Sequence, residues 1–156
     1  MRKVLCHPSQ VVVLMALASA CLWARERQVV RNELPVAVRE TADKQAQGAT
    51  VRGYAKDVEN GQVEYEVQLA MNGHSKDVTI APDGRVLEIE EEVRAESLPA
   101  VVASRLSAKA GKGKIEKVES LTKRGVIVAY EAQVLTARKR SEIQVGPDGD
   151  NLSHPE

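Results

Sequence analysis

Apolar positions change their period along this chain, and each change predicts an element. From Leu34 they follow a helical stripe, with Leu34, Ala37, Val38, Thr41, Ala42 and Gln45 on one face. Pro35 stands at the start, where the first helical turn tolerates a missing N–H. Gly48 lies just past the end and offers the left-handed cap. The period then drops to two. Val63, Tyr65, Val67, Leu69 and Met71 alternate with Gln62, Glu64, Glu66 and Gln68, which predicts a strand with one buried and one wet face. Asn60-Gly61 and Asn72-Gly73 on either side are two-residue hairpin signals. Val78 and Ile80 mark the next strand, Pro82-Asp83-Gly84 turns the chain, and Val86, Leu87, Ile89 and Val93 mark another. A strand is also expected near Val51–Glu59, where the alternation is ragged.

The same pattern then recurs. Leu34-Pro35-Val36-Ala37-Val38 matches Leu98-Pro99-Ala100-Val101-Val102 at an offset of 64, as Val51 matches Ile115. Tyr65-Glu66-Val67-Gln68 matches Tyr130-Glu131-Ala132-Gln133 at 65, as Ala81-Pro82-Asp83-Gly84 matches Gly146-Pro147-Asp148-Gly149. The order and spacing predict two tandem units, 33–96 and 97–156. Each is a helix on a four-stranded antiparallel sheet, an α+β arrangement, because successive hairpins force antiparallel pairing. In the second unit Leu98, Val101, Val102 and Leu106 form the helical stripe and Gly111 ends it. Arg138-Lys139-Arg140 interrupts a hairpin there, and the last strand, near Asp150–Ser153, is short. A unit of about 60 residues is marginal alone. The two are therefore expected to pack together, as one continuous sheet or side by side.

The first 24 residues read differently. Arg2 and Lys3 precede an uncharged apolar run from Val11 to Ala18, and Ala18-Ser19-Ala20 supplies small residues for cleavage. This is the layout of a secretory signal peptide, too short to span a bilayer. Leu17-Ala18-Ser19-Ala20-Cys21 resembles a bacterial lipobox, in which Cys21 is acylated, although Ala18 departs from the larger aliphatic residue usual there. Ordinary cleavage after Ala20 or Ala24 stands beside that reading. Either way at most one Cys remains, so no internal disulfide is expected.

Composition narrows the chemistry. The 156 residues hold 22 Lys+Arg and 22 Asp+Glu, for a net charge of zero. That zero and the few aromatics (Trp23, Tyr54, Tyr65 and Tyr130) argue against nucleic acid as a partner. The charge is unevenly spread, with unit one at −7 and unit two at +3. Beyond the signal the histidines are His74 and His154, neither with a second His or a Cys at metal-ligand spacing. No nucleophile elbow and no complete phosphate or calcium loop is present. No catalytic residue, cofactor or metal site is therefore expected. What remains is the sheet face away from the helices. It carries Glu64, Glu66, Gln68, Glu88 and Glu90 in unit one, and Glu131 and Gln133 in unit two. These seven are the candidate interaction face, with a merely solvated surface as the plain alternative.

The Leu-Pro-x-x-Val helix start, the Tyr-Glu-Val central strand and the Asp-Gly hairpin resemble the PepSY-like family. Two exported tandem copies are similar to its beta-lactamase-inhibitor-like members, over about residues 33–153. The resemblance implies a non-enzymatic periplasmic or extracellular binding module that restrains an envelope or secreted enzyme such as a peptidase. A lipid-tethered structural or ligand-sensing envelope protein is the alternative, touching the membrane only through a lipid on Cys21. The oligomeric state is left open.

Overall fold

The computed structural model describes residues 26–156. The expected signal peptide, its lipobox and Cys21 lie outside the described residues. Eight strands there form one antiparallel sheet in chain order. They are β1 (Arg27–Val29), β2 (Thr50–Glu59), β3 (Gln62–Met71), β4 (His74–Ile80), β5 (Val86–Glu92), β6 (Lys114–Lys123), β7 (Val126–Thr136) and β8 (Lys139–Val145). Helix α1 (Val36–Gln45) precedes β2, and α2 (Ala100–Ala110) precedes β6. The α+β expectation holds at this level. Of the two packing modes the continuous sheet is formed, since β5 pairs with β6 from Glu88↔Lys123 to Glu92↔Glu119.

Three details differ from the sequence expectation. β1 has no signature in the sequence, since three residues are too few to show a period, yet Val29 pairs with Tyr54 and is buried. No strand follows β8 among the described residues, so α2 is followed by three strands instead of four. Asp150, Asn151 and Ser153 are poor strand formers, and Leu152 alone is apolar there. Lys139 and Arg140 do not interrupt a hairpin either. They open β8, and the turn lies at Ala137–Arg138, with φ of 47° and 70°. Charged side chains suit β8 because it is an edge strand.

The ragged alternation in β2 has a structural cause. Val51 pairs with Leu69 and Gly53 with Gln68, so Arg52 is an extra residue that shifts the phase. Glu116 is extra in β6 in the same way, and Leu87 and Val128 are the extra residues at two further irregularities.

The helices cover one face of the sheet. Under α1, Leu34, Val38 and Ala42 meet Tyr65, Val67, Leu69, Val78 and Ile80. Under α2, Val102 and Leu106 meet Val118, Tyr130, Ala132, Val134 and Val145. Each large apolar side chain buried this way contributes about 1.5–3 kcal/mol. Both prolines sit at the helix N-caps, Pro35 for α1 and Pro99 for α2, and Gly111 is the C-cap of α2.

Each helix is also held by a turn. Thr41 Oγ1 donates to the Gly84 carbonyl at 2.7 Å, and Arg105 Nε donates to the Gly149 carbonyl at 3.0 Å. The approach depends on glycine twice over. Gly84 has φ of +87°, and a Cβ there would lie 2.9 Å from the Ala37 carbonyl oxygen. Gly149 has φ of +78°, and its Cβ would lie 2.8 Å from Val101 Cγ2. Replacing Gly84 or Gly149 by Ala is therefore expected to cost about 1–3 kcal/mol, from left-handed strain plus the clash. Gly61→Ala, strained but in open space, is the milder control at about 1 kcal/mol. Urea unfolding midpoints at unchanged m-value check the ranking.

Candidate functional site

The strand register assigns side chains to the face the helices leave bare. Ala55, Glu66, Thr79, Glu88 and Lys123 form one row across β2 to β6. Gly53, Gln68, Asp77, Glu90, Leu121 and Ala129 form the next. Glu92, Glu119, Glu131 and Gln144 form a third over β5 to β8, and Lys117, Gln133 and Glu142 a fourth. The seven residues expected on this face all lie on it, but they do not make one cluster. Glu64, Glu66, Glu88 and Glu90 share a trough of about 810 Å³ with Asp57, Lys123 and others. Gln68 and Glu131 are not among its lining residues. Gln133 instead lines a smaller hollow of about 320 Å³ with Arg140, Ser141 and Glu142.

This face is not a plain solvated surface. Ala55, Leu121 and Ala129 are 1%, 1% and 0% exposed, although no helix covers them. Two of the extra strand residues, Leu87 and Val128, line the trough. Bulges bend a strand and increase its local twist. Among the described residues the apolar floor forms without a covering helix.

Charged groups crowd over that floor. Carboxylate oxygens of Asp77, Glu90 and Glu119 lie within 4.8 Å of one another. Glu119 is 3% exposed and accepts a hydrogen bond from Lys117 Nζ at 2.7 Å. Its carboxylate therefore already has an ammonium ion beside it. Among the described residues the trio is the one group close enough to share a metal ion, and Lys117 supplies positive charge there. Lys123 Nζ lies 3.2 Å from Glu88 and 3.5 Å from Glu156. Gln68 donates to Glu66 at 2.7 Å, and Gln144 donates to Glu131 at 2.7 Å.

Burial and like charge act together on these acids. The Glu90 carboxyl is pushed up to about 8, first by burial, then by a hydrogen bond to Glu88 and by the charges of Glu88, Glu119 and Glu131. Glu64, Glu66, Asp77 and Glu131 are raised as well, each chiefly by burial. Burial alone would lower Lys117 and Lys123. Their carboxylate partners, Glu119 for the first and Glu88 for the second, reverse the sign.

One group of catalytic residue types lies nearby. His74 Nδ1 is 3.7 Å from Glu92 Oε1, and Ser75 Oγ donates to Glu92 Oε2 at 3.3 Å. The order is wrong for nucleophilic catalysis, which needs His between the hydroxyl and the acid. Here the carboxylate stands in the middle and His74 Nδ1 has no hydrogen-bond partner. The sequence expectation named neither this group nor Asp77, Glu119, Lys117, Lys123 and Leu121. The alternation of Lys117, Glu119, Leu121 and Lys123 in β6 was the available signal.

Neither a family model nor a curated protein matches the chain. Its fold does resemble solved structures. A protein from Bacteroides eggerthii described as periplasmic superposes with a TM-score of 0.62 at 20% identity, over 76% of this chain and 86% of that one. A DUF2874 family protein from Bacteroides ovatus gives 0.59 at 19%, over 77% and 85%. A BLIP-like protein from Bacteroides fragilis gives 0.56 at 18%, over 76% and 83%. At these identities the likeness is one of fold. Among the described residues no helix is long and apolar enough to cross a membrane.

The raised carboxyls give a pH dependence with a definite sign. Folded Glu90 holds its proton more tightly than an unfolded Glu does. Its contribution is fully present below about pH 4.5 and is lost as pH rises through about 8. The protein should therefore melt higher near pH 5 than above pH 8, as far as this group decides. Glu90→Gln should remove part of that slope and stabilise the alkaline form by on the order of 1–2 kcal/mol, roughly 2–8 °C. Thermal melts of both proteins at the two pH values test this; an unchanged slope in the variant would refute the assignment.

Proposed function

We propose that this chain is an exported, non-catalytic binding module. In this reading it is built from two tandem PepSY-like units, and its helix-free sheet face engages an envelope or secreted protein such as a peptidase and restrains it. The observation that carries the reading is that face. Among the described residues nothing layers over it, yet it holds a buried apolar floor under half-buried polar side chains. Binding surfaces combine those features, whereas a solvated face needs no floor.

Duplication is supported by detail beyond the sequence match. The extra residues Arg52 and Glu116 stand 64 apart. The helix contacts to Gly84 and Gly149 come from Thr41 and Arg105, again 64 apart. The turns close identically, Gly84 N to Ala81 O at 2.8 Å and Gly149 N to Gly146 O at 2.9 Å. Export follows from the expected signal peptide, and fold neighbours described as periplasmic accord with it. The BLIP-like neighbour accords with an enzyme as partner by analogy of fold alone.

A photo-crosslinking residue placed at Gln133, Glu131 or Gln68 and irradiated in the native envelope tests the face directly. Adducts of defined mass are expected there and not from a control position on α1, such as Glu40. Absence of adducts from all three face positions would end the reading. The motif at Leu17–Cys21 also supports a lipid tether. Labelling with an alkyne fatty acid should mark the wild type and not Cys21→Ala; an unlabelled wild type would leave the exported form untethered.

A further inference from the structure

We propose that the trough between β2 and β6 seats a turn or loop of a partner protein that carries clustered Lys or Arg side chains. This rests on the reading of the helix-free face as a protein-binding surface, and it names the chemistry of what binds.

Charge is the first argument. Among the described residues, eight carboxylates line the trough against two cations, Lys123 and Arg124. Lys123 is already divided between Glu88 and Glu156. The chain has another basic turn, at Ala137–Arg138, but it sits at the opposite end of the strands from the trough's Asn60 and Arg124. The molecule therefore cannot fill its own trough with that turn.

Protonation is the second. Around Glu90 stand Asp77 on β4, Glu88 on β5, Lys117, Glu119 and Lys123 on β6, and Glu131 on β7. Four of the acids in this set repel a charge on Glu90 or crowd its site, and the repulsion is relieved by retaining a proton. An arriving ammonium or guanidinium supplies the missing counter-charge, so Glu90 should give up its proton as the guest binds.

Shape is the third. At about 810 Å³ the trough has the volume of a small-molecule site, but its lining is mostly charged, whereas such sites are mostly apolar. Ala55 and Leu87 lie in the lining beneath the acids. Lys and Arg match this arrangement, with alkyl stems for the apolar strip and charged heads for the rim.

The test uses fluorescence anisotropy of the exported protein with a labelled cyclic hairpin peptide bearing Arg-Lys-Arg at its turn. Controls are a Glu-Glu-Glu hairpin and unlabelled spermine. The basic hairpin should bind and the acidic one should not. Affinity should fall about tenfold or more in Glu64→Gln/Glu88→Gln, and again between about 50 and about 300 mM salt. Glu142→Gln, outside the trough, should bind as the wild type does. The double variant also removes the Glu88 partner of Lys123, so its melt is recorded beside the wild type and binding is compared below both transitions; that separates lost binding from lost folding. Titration calorimetry in two buffers of different ionisation heat should show proton release on binding.

Equal binding by the double variant overturns the proposal. So does competition by spermine at the hairpin's own affinity, which would mean a diffuse polycation atmosphere. Self-association of the protein abolished by Arg138→Glu would assign the trough to a second copy and overturn it too. If the double variant keeps the envelope cross-links formed from Gln133, this inference fails while the binding-face reading survives. If no face position cross-links, that reading fails whatever the peptide does.

Discussion

Two short helices cannot cover both faces of an eight-stranded sheet, and most of the molecule follows from that constraint. One face receives α1 and α2 and forms two apolar clusters, one under each helix. The other receives no helix among the described residues. A flat sheet would leave that face wet, with the plain polar alternation of an exposed strand surface. Instead four irregularities, at Arg52, Leu87, Glu116 and Val128, alter the strand register. Ala55, Leu121 and Ala129 are nevertheless buried on the side without helices. The glycines at 84 and 149 serve the same economy on the other side. They let turns approach the helices closely enough to hold them with a single hydrogen bond each.

The sequence made the regular parts legible and concealed the irregular ones, for physical reasons. β3 was plain because its alternation runs unbroken from Gln62 to Met71, bounded by Asn-Gly turns. β2 was ragged because Arg52 adds a residue and shifts the faces on one side of the bulge. The turns at Asn60-Gly61 and Asn72-Gly73 announce left-handed backbone through residue types that tolerate it. Ala137–Arg138 adopts the same hand with residues that do not, so nothing in the sequence marks it. For the site, alternation on β3 and β5 was enough to choose Glu64, Glu66, Glu88 and Glu90. Finding Asp77 and Glu119 needed the register between β4, β5 and β6, which depends on how the two halves meet.

The acids of the trough work against the fold that carries them. Burial raises Glu64, Glu66, Asp77 and Glu90, and each shift means that the ionised form is less at ease in the folded chain than in the unfolded one. Elsewhere the protein pairs its charges conventionally. Asp83 is lowered by hydrogen bonds from Arg85, and Glu33 by hydrogen bonds from the Val30 backbone and from Arg27. The contrast is local, and the proposed binding role gives it a functional sense, because a site kept at a cost in stability is a common mark of binding surfaces.

The uneven charge of the two halves takes its meaning from the seam. Under the tandem reading, the residues matching Glu88 and Glu90 of β5 in the second half are Ser153 and Pro155, and no strand forms there. The second half thus lacks both the strand and its acids, and β8 is left as a basic-ended edge. The first half keeps the strand, and β5 becomes the junction with β6. There Lys123 meets Glu88, and Lys117 stands beside Glu119, one row from Glu90. The excess positive charge of one half is in part spent where it touches the excess negative charge of the other. Because two lysines answer many carboxylates, neutralisation stops short. The remaining negative charge collects in the trough at the seam, where the proposed partner of opposite sign would meet it already gathered.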